Sequence, residues 1–208
     1  MRLSATTADL PPTVADALAA PGPGDRGEVD ADGLRWPTLS WGGRRVDPMR
    51  PPVLLVHGVT SNAGIWWRIA PAIAAAGRHV VAVDMPGHGR TAPAARSHLF
   101  LDTAKELAAF VRAAGLDIPE LAVVGHSWGG MVTAHLPAAG LTPRTLILLD
   151  PPSLTLERLR ALTESPTERD YATLEDSTTA VRAANPTWSD GDVSAKAQAL
   201  TEFNPQLV

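Results

Sequence analysis

A chain of 208 residues with 45% hydrophobic and 19% charged residues is long enough for one domain with a sizeable core. Its formal net charge of −4 gives no electrostatic basis for binding nucleic acid or an anionic membrane, so neither is an expected partner. The absence of cysteine excludes disulfides, thiol nucleophiles and thiolate metal sites, and it agrees with a cytoplasmic location.

The first 28 residues lack the pattern of a targeting segment. No basic stretch precedes an apolar one, and no run approaches the roughly 18 apolar residues that a membrane helix needs. Apolar residues over 14–20 predict a short helix, which the Pro-Gly-Pro-Gly run at 21–24 would end. We expect residues 1–28 to form a poorly ordered lead-in.

The stretch "LRWPTLSWGGRRV", from Leu34 to Val46, predicts a small hairpin. Its turn is expected near Gly42 and Gly43. Because Pro37 cannot donate a ladder hydrogen bond, the first strand is expected at a sheet edge.

Four short apolar runs predict strands that are buried on both faces. They are "VLLVHG" at 53–58, "HVVAVD" at 79–84, "LAVVGH" at 121–126 and "TLILLD" at 145–150. Three segments between them predict helices, each followed by a glycine that can cap it: 63–76, 99–114 and 131–139. This alternation predicts an α/β fold, with a mostly parallel sheet and crossover helices.

The sequence after Pro151-Pro152 contains no strand-like run. It predicts helices over 154–162, 167–184 and 190–203. Thr167 and Ser189 are the expected N-caps, since an acidic residue follows each of them three positions later. The expected organisation is therefore the lead-in, an α/β core over 29–152 and a helical segment over 153–208.

The pentapeptide Gly125–Gly129 matches G-x-S-x-G between a predicted strand and a predicted helix. In that context Ser127 sits on a strained turn at the carboxyl edge of the sheet, where it can act as a nucleophile. The amide of Trp128 would then lie at a helix N-terminus, where it can stabilise a developing oxyanion. The structural alternative is a serine that merely caps the helix.

Three segments in the same order resemble the α/β-hydrolase superfamily, of the serine esterase and C–C hydrolase type. They are "LLVHGVTSNAGIWW", "VVAVDMPGHGRT" and "VVGHSWGG", and the resemblance covers about residues 34–152. It implies that residues 153–208 are the start of a helical cap over the active site.

The resemblance also implies roles for the loop after the first parallel strand. The backbone amide of Val59 would be the second oxyanion donor beside that of Trp128. His57 and Gly58 would shape this loop, and His126 would face the pocket or pack beside the serine. The alternative for His57 is a strand-end histidine bonded to local backbone, which is compatible with the same role.

The carboxylates at two strand ends have different expected roles. Asp150 ends the last predicted strand and is the candidate triad acid; the alternative is a carboxylate that bonds to the following proline loop. Asp84 and His88 are expected to hold the turn after their strand. His79, His98 and His135 have no motif context and are expected on the surface or in the core.

No histidine follows His135, although the family order is serine, acid, histidine. We therefore expect a truncated fold that lacks the family's C-terminal strands and its catalytic histidine loop. A non-catalytic relative that binds ligands or proteins is the second explanation, and a histidine supplied by another polypeptide is the third.

The expected reaction is hydrolysis of an ester, or of a related acyl or C–C bond, through an acyl-enzyme on Ser127. By the resemblance, a dehalogenase or epoxide hydrolase would carry aspartate at this position. The expected partner is a small-molecule substrate, with no cofactor and no metal, since no metal-binding histidine spacing is present. The unprotected strand 145–150 also predicts a homodimer through the sheet edge.

Overall fold

The structure is a computed structural model, and it describes residues 9–43, 51–92, 99–152 and 171–203. In these ranges the strands are β1 (Asp25–Ala31), β2 (Leu34–Trp41), β3 (Pro52–Val56), β4 (His79–Val83), β5 (Ala122–His126) and β6 (Thr145–Leu149). The helices are α1 (Pro12–Ala19), α2 (Ile69–Ala75), α3 (Phe100–Ala113), α4 (Trp128–Ala134), α5 (Leu174–Ala184) and α6 (Asp190–Thr201), with a 3₁₀ helix at Ala63–Trp66.

The six strands form one sheet in the order β1-β2-β4-β3-β5-β6. The last four strands of this order are mutually parallel. The strand β2 runs antiparallel to both of its neighbours, β1 and β4. This confirms the predicted α/β fold with a mostly parallel sheet. Because the carboxyl ends of parallel strands share one edge, the residues that follow β3, β4, β5 and β6 meet there.

Two hydrophobic clusters cover the two faces of the sheet, as the period of two along a strand requires. In β3, Leu54 and Val56 belong to the cluster beneath α3 and α4, whereas Val53 and Leu55 belong to the cluster beneath the 3₁₀ helix and α2. The strands β4 and β5 alternate in the same way. The predicted burial on both faces is therefore confirmed for β3, β4 and β5. It is wrong for β6, whose residues are exposed or half-buried because it pairs only with β5 in the described residues.

The predicted hairpin at 34–46 is wrong in its partner and its turn. β2 pairs with the preceding strand β1 through a two-residue turn at Asp32 and Gly33. Both turn residues have positive φ, 51° and 78°, which is the geometry that Asp-Gly favours between antiparallel strands. The predicted turn residues Gly42 and Gly43 follow β2, and residues 44–50 lie outside the described ranges.

The expectation that Pro37 places its strand at an edge is also wrong, since β2 lies between β1 and β4. The β2–β4 ladder covers only Thr38 to Trp41, and the carbonyl of Pro37 accepts a bond from the Asp84 amide at 3.1 Å. The nitrogen of Pro37 faces the same side, just past the end of that ladder. The missing N–H therefore removes no hydrogen bond between β1 and β2.

Residues 9–28 differ from the expected poorly ordered lead-in, and residues 1–8 lie outside the described ranges. Residues 12–19 form α1, whose Val14 is buried, and β1 begins at Asp25. The segment between them packs on Trp41, whose Nε1 donates to the Gly22 carbonyl at 3.2 Å. A tertiary contact thus orders a proline- and glycine-rich segment that has little structure of its own.

The predicted helix at 63–76 is divided into the 3₁₀ helix and α2. Pro71 lies in the first turn of α2, where a proline is tolerated, but its ring opposes a continuous helix through the preceding turn. The predicted end is confirmed: Gly77 has a φ of 87° and its amide bonds the Ala74 carbonyl.

Two helices follow the last strand in the described residues. α6 begins where predicted, and the Ser189 hydroxyl accepts the Asp192 amide at 3.2 Å. α5 is shorter than the predicted 167–184 and is capped by Thr173. The predicted helix at 154–162 and the predicted cap Thr167 lie outside the described residues, and the division into core and cap at residue 152 stays a prediction.

Candidate active site

Ser127 lies at a sharp corner between β5 and α4. Its φ of 51° and ψ of −121° are outside the regions that L-residues usually adopt, so the turn is strained. The Ser127 amide donates to the Leu149 carbonyl at 2.9 Å, which ties the corner to the end of β6. The Ser127 side chain makes no capping hydrogen bond to α4. This geometry speaks against a serine that merely caps the helix.

Gly125 and Gly129, which flank the serine corner, leave no room for a side chain. A Cβ on Gly125 would lie 2.7 Å from the Gly129 carbonyl oxygen and 2.8 Å from the Gly130 Cα. A Cβ on Gly129 would lie 2.9 Å from the Val56 carbonyl oxygen. Helix α4 can therefore pack tightly on β3 and β5 only because these residues lack side chains.

The loop after β3 faces the serine. A Cβ placed on Gly58 would lie 3.1 Å from both the Ser127 Cβ and the His126 Nδ1. Gly58 thus gives the loop its close approach to the corner. The expected role of His57 and Gly58, which is to shape the surroundings of Ser127, stays a prediction.

His57 is fully buried beneath this loop and both ring nitrogens are engaged. Nε2 accepts the Met85 amide at 3.0 Å, so Nδ1 carries the proton and donates to the Gly58 carbonyl at 2.7 Å. Burial lowers the pKa of His57 from 6.5 to about 4. A neutral ring with no open nitrogen cannot take the proton of Ser127.

The same hydrogen bond fixes an orientation that matters for chemistry. In a trans peptide the C=O and N–H point in opposite directions, so holding the Gly58 carbonyl on His57 turns the Val59 amide away from that ring. The Trp128 amide lies in the first turn of α4, where no intrahelical acceptor exists. Within the described residues, neither amide donates to another part of the chain.

Asp84 holds the loop after β4 against the loop after β3. Its carboxylate accepts the Ala63 amide at 2.8 Å and the Arg90 amide at 3.2 Å. Burial raises the pKa of Asp84, while these two hydrogen bonds lower it. Gly89, at a φ of 55°, leaves room for the carboxylate. The predicted structural role of Asp84 in this turn agrees with these contacts.

His126 and Asp150 lie at the same edge as Ser127. His126 is half-buried; burial lowers its pKa, and the nearby Asp150 carboxylate opposes this effect. Asp150 is exposed and has a φ of 47°. The charge of the candidate acid therefore acts on His126. Among the hydrogen bonds of the described residues, we find none from Asp150 to the following proline loop.

The structure places three further histidines, His79, His88 and His135, in different surroundings. His135 ends α4, bonds the Met131 carbonyl through Nδ1 at 2.8 Å and stacks on Phe100. His79 begins β4, at the opposite edge of the sheet. His88 is buried against the rings of His57, Trp128 and Phe203. His98 lies outside the described ranges, and in those ranges no hydrogen bond joins Ser127 to a histidine.

A cavity of about 290 Å³ opens between the 3₁₀ helix and α6. Its polar lining includes Asn62, Asp84, Arg90 and Glu202, but Ser127 does not line it. In the part of the chain that the structure describes, no group of three or more His, Asp or Glu side chains is placed to hold a metal ion. No helix there is long and apolar enough to cross a membrane.

Sequence reasoning missed the contacts that α6 makes with the loop after β3. Lys196 bonds to Thr60, and Glu202 bonds to Asn62. These partners are 136 and 140 residues apart, and no local motif marks either pair.

A family model for the alpha/beta hydrolase fold matches residues 51–198. This chain belongs to the alpha/beta hydrolase family. The match includes the Ser127 corner, the loop after β3, α5 and most of α6, so the resemblance inferred from three motifs is confirmed.

Two curated relatives of this alpha/beta hydrolase are enzymes. The dihydrolipoyllysine-residue acetyltransferase component of the acetoin cleaving system from Pseudomonas putida is 35% identical over 65% of this chain and 33% of its own length. Lipase LipV from Mycobacterium tuberculosis is 36% identical over 72% of this chain and 56% of its own length. The chain thus spans about a third of the first relative's length and just over half of the second's.

Solved structures show the same fold at lower identity. E-2-(acetamidomethylene)succinate hydrolase has a TM-score of 0.69 at 20% identity, covering 85% of this alpha/beta hydrolase and 64% of that chain. The thioesterase domain from the curacin biosynthetic pathway has a TM-score of 0.65 at 24% identity, covering 88% and 68%.

Proposed function

We propose that this alpha/beta hydrolase cleaves a carboxylic ester, or a related acyl or C–C bond, through an acyl-enzyme on Ser127. The observation that carries the proposal is the corner itself: a strained serine with no capping bond, facing the Gly58 loop. Strain at a non-glycine residue persists where the surrounding structure enforces it, and it is concentrated at functional sites.

The proposed reaction uses the Ser127 hydroxyl as nucleophile. Its oxygen bonds to the substrate carbonyl carbon, the proton goes to a base, and the alcohol leaves with a proton from that base. Water then hydrolyses the acyl-enzyme. The amides of Val59 and Trp128 would bind the oxyanion that forms in each step. Asp150 is the proposed acid of the catalytic triad.

The identity of the nucleophile favours an ester substrate over an epoxide, since the relatives include enzymes named for each. LipV is named a lipase, whereas other relatives, including one from Caballeronia sordidicola, are named epoxide hydrolases. By the family resemblance, an epoxide hydrolase carries aspartate where this chain has Ser127. A serine nucleophile favours acyl transfer.

The base in this proposal is a histidine from residues outside these 208, and the greater length of the relatives fits that source. A non-catalytic protein that binds a ligand or another protein is the second candidate. It is favoured by one observation: no hydrogen bond joins Ser127 to a histidine in the described ranges.

Hydrolysis of p-nitrophenyl acetate by the 208-residue chain tests the proposal. We expect slow turnover, since an oxyanion hole without its base retains on the order of 10³–10⁴-fold catalysis over water in a comparable triad. Because this residual rate comes from the oxyanion hole, the serine is tested by its covalent product: the chain should slowly gain an acetyl group at Ser127 as p-nitrophenol leaves. Ser127→Ala should abolish this acetylation, and Ser40→Ala, a matched change on β2, should not. A fluorophosphonate should add mass at Ser127 as fluoride leaves.

No acetylation of Ser127, together with no fluorophosphonate labelling, would contradict the enzyme proposal. Saturable binding of a ligand under those conditions would favour the binding protein. Fast turnover that depends on Ser127 would support the enzyme and place the base within this chain, with His126 the first candidate to substitute.

A further inference from the structure

Helix α6 reaches the loop after β3 through two long-range contacts. The Lys196 ammonium donates to the Thr60 carbonyl at 2.8 Å and to the Thr60 hydroxyl at 3.0 Å. The Glu202 carboxylate accepts the side-chain amide of Asn62 at 2.7 Å. The Asn62 oxygen in turn caps the 3₁₀ helix at the Gly64 amide. A C-terminal helix therefore contacts the segment that faces Ser127.

This loop has a conformation that needs support. Thr60 has a φ of 56°, in the left-handed region that a β-branched residue rarely adopts. The Thr60 hydroxyl donates to the Val59 carbonyl at 2.7 Å and also accepts the Lys196 ammonium. Lys196 thus holds both the carbonyl and the hydroxyl of the strained residue.

Three consecutive carbonyl groups in this loop have donors. The Gly58 carbonyl is held by His57, the Val59 carbonyl by the Thr60 hydroxyl, and the Thr60 carbonyl by Lys196. The peptides before and after Val59 are therefore both fixed, and with them the direction of the Val59 amide. Of these three donors, only Lys196 comes from another part of the fold.

The charge of Lys196 also acts on this edge of the sheet. It contributes to the lowered pKa of His57 and of His126, although burial is the larger cause for both rings. The ammonium is therefore within electrostatic range of the residues on either side of the Gly58 approach. A positive charge in this place favours a developing oxyanion.

We propose that Lys196 is a positioning residue, which holds the loop from Gly58 to Thr60 so that the Val59 amide is presented to an oxyanion formed at Ser127. This inference rests on the proposed function of Ser127. It makes α6 part of the catalytic apparatus and not only a cover over the sheet.

The test compares Lys196→Met with Lys196→Arg in the 208-residue chain. We expect Lys196→Met to lower kcat for p-nitrophenyl acetate by about 10–100-fold, since losing an oxyanion donor outright costs about 10²–10³-fold. KM should change by less than about two-fold, because the ground-state ester makes little use of the amide. Lys196→Arg keeps the charge and the donors and should restore most of kcat.

A second readout separates positioning from folding. Phenylboronic acid forms a tetrahedral adduct on an active serine, and its affinity should fall in Lys196→Met in parallel with kcat. Lys105→Met, an exposed lysine that pairs with Asp102, is the matched control and should retain wild-type kcat and affinity. If Lys196→Met does not melt cooperatively, Thr60→Val replaces only the bonded hydroxyl with a methyl group and should lower kcat in the same direction.

A wild-type kcat in folded Lys196→Met would overturn the inference while leaving the Ser127 proposal intact. So would a loss of kcat that arginine does not restore, or one that leaves the boronate affinity unchanged. Failure of both p-nitrophenyl acetate and the fluorophosphonate to label Ser127 would overturn the proposed function itself, and this inference with it.

Discussion

The engagement of both nitrogens of His57 defines what this residue can contribute. Its Nε2 accepts a hydrogen bond from the Met85 amide and its Nδ1 donates one to the Gly58 carbonyl. A change of tautomer would break both bonds. A protonated ring could no longer accept from Met85. The neutral form is therefore part of the loop's structure, and protonation should be coupled to unfolding.

We expect stability to fall as pH decreases below 6.5. The pKa of His57 is about 4 in the folded chain and 6.5 as a free side chain, so the unfolded chain binds more protons between these values. The difference of 6.5 − 4 = 2.5 in pKa corresponds to at most about 3 kcal/mol, lost progressively across this window. Urea unfolding midpoints measured from pH 7.5 to 4 check this slope.

Substitutions measure how much of the pH dependence of stability comes from His57. His57→Gln should flatten most of it at some cost in stability. His126→Gln should remove a smaller part, since burial also lowers the pKa of His126. Asp84 acts in the opposite sense, because its raised pKa favours the folded chain at low pH. An unchanged slope in His57→Gln would contradict the assignment.

Among single residues, those within the motifs were predictable and their distant partners were not. Ser127 and its glycines were predictable because the steric requirements of the turn are local and define the five-residue motif G-x-S-x-G. Thr60 and Lys196 are joined by a contact across 136 residues, which depends on where α6 settles on the sheet. Nothing in the spacing of either residue indicates its partner.

At the scale of elements, the junction of β5 with α4 depends on close backbone approach. We predict that Gly129→Ala lowers the free energy of unfolding by about 2–4 kcal/mol, because the added methyl group meets the Val56 carbonyl oxygen at 2.9 Å. Gly22→Ala is the matched control, since a Cβ there has nothing within 4 Å. Denaturant unfolding measures both variants, and equal stabilities would refute the steric argument.

The elements that sequence reasoning missed are those that derive their order from neighbours. β1 is mostly exposed and carries four charged residues in seven, so its composition is typical of a loop. It becomes a strand because Asp32 and Gly33 turn it onto β2. The central strands needed no such help, since their apolar runs already predict burial on both faces.

For the whole molecule, the strand β6 is an exposed apolar edge of the sheet. Within the described residues it pairs only with β5, and Ile147, Leu148 and Leu149 are 44%, 40% and 39% exposed. Its sequence has no lysine or proline to discourage pairing. Each fully exposed Leu or Ile forfeits about 1.5–3 kcal/mol of burial, which is large against a typical stability of about 5–15 kcal/mol.

We therefore predict that the isolated chain associates through β6 with a second copy. Ile147→Lys should shift sedimentation toward the monomer and reduce binding of an apolar dye. Leu174→Lys, which changes an equally apolar residue that is 52% exposed on α5, should leave association unchanged. A wild-type monomer with a cooperative melt and no dye binding would contradict this prediction.

The hydrogen bond from the Ser127 amide to the Leu149 carbonyl gives the exposed strand a direct connection to the serine. Edge strands open more often than central ones, and each opening of β6 releases this bond. The Ser127 amide proton should therefore exchange with solvent at the rate of β6 fraying, although its neighbours in β5 are protected by β3 on the other side. Any contact that reduces the opening of β6 would therefore also reduce the opening of the hydrogen bond that holds the backbone of Ser127.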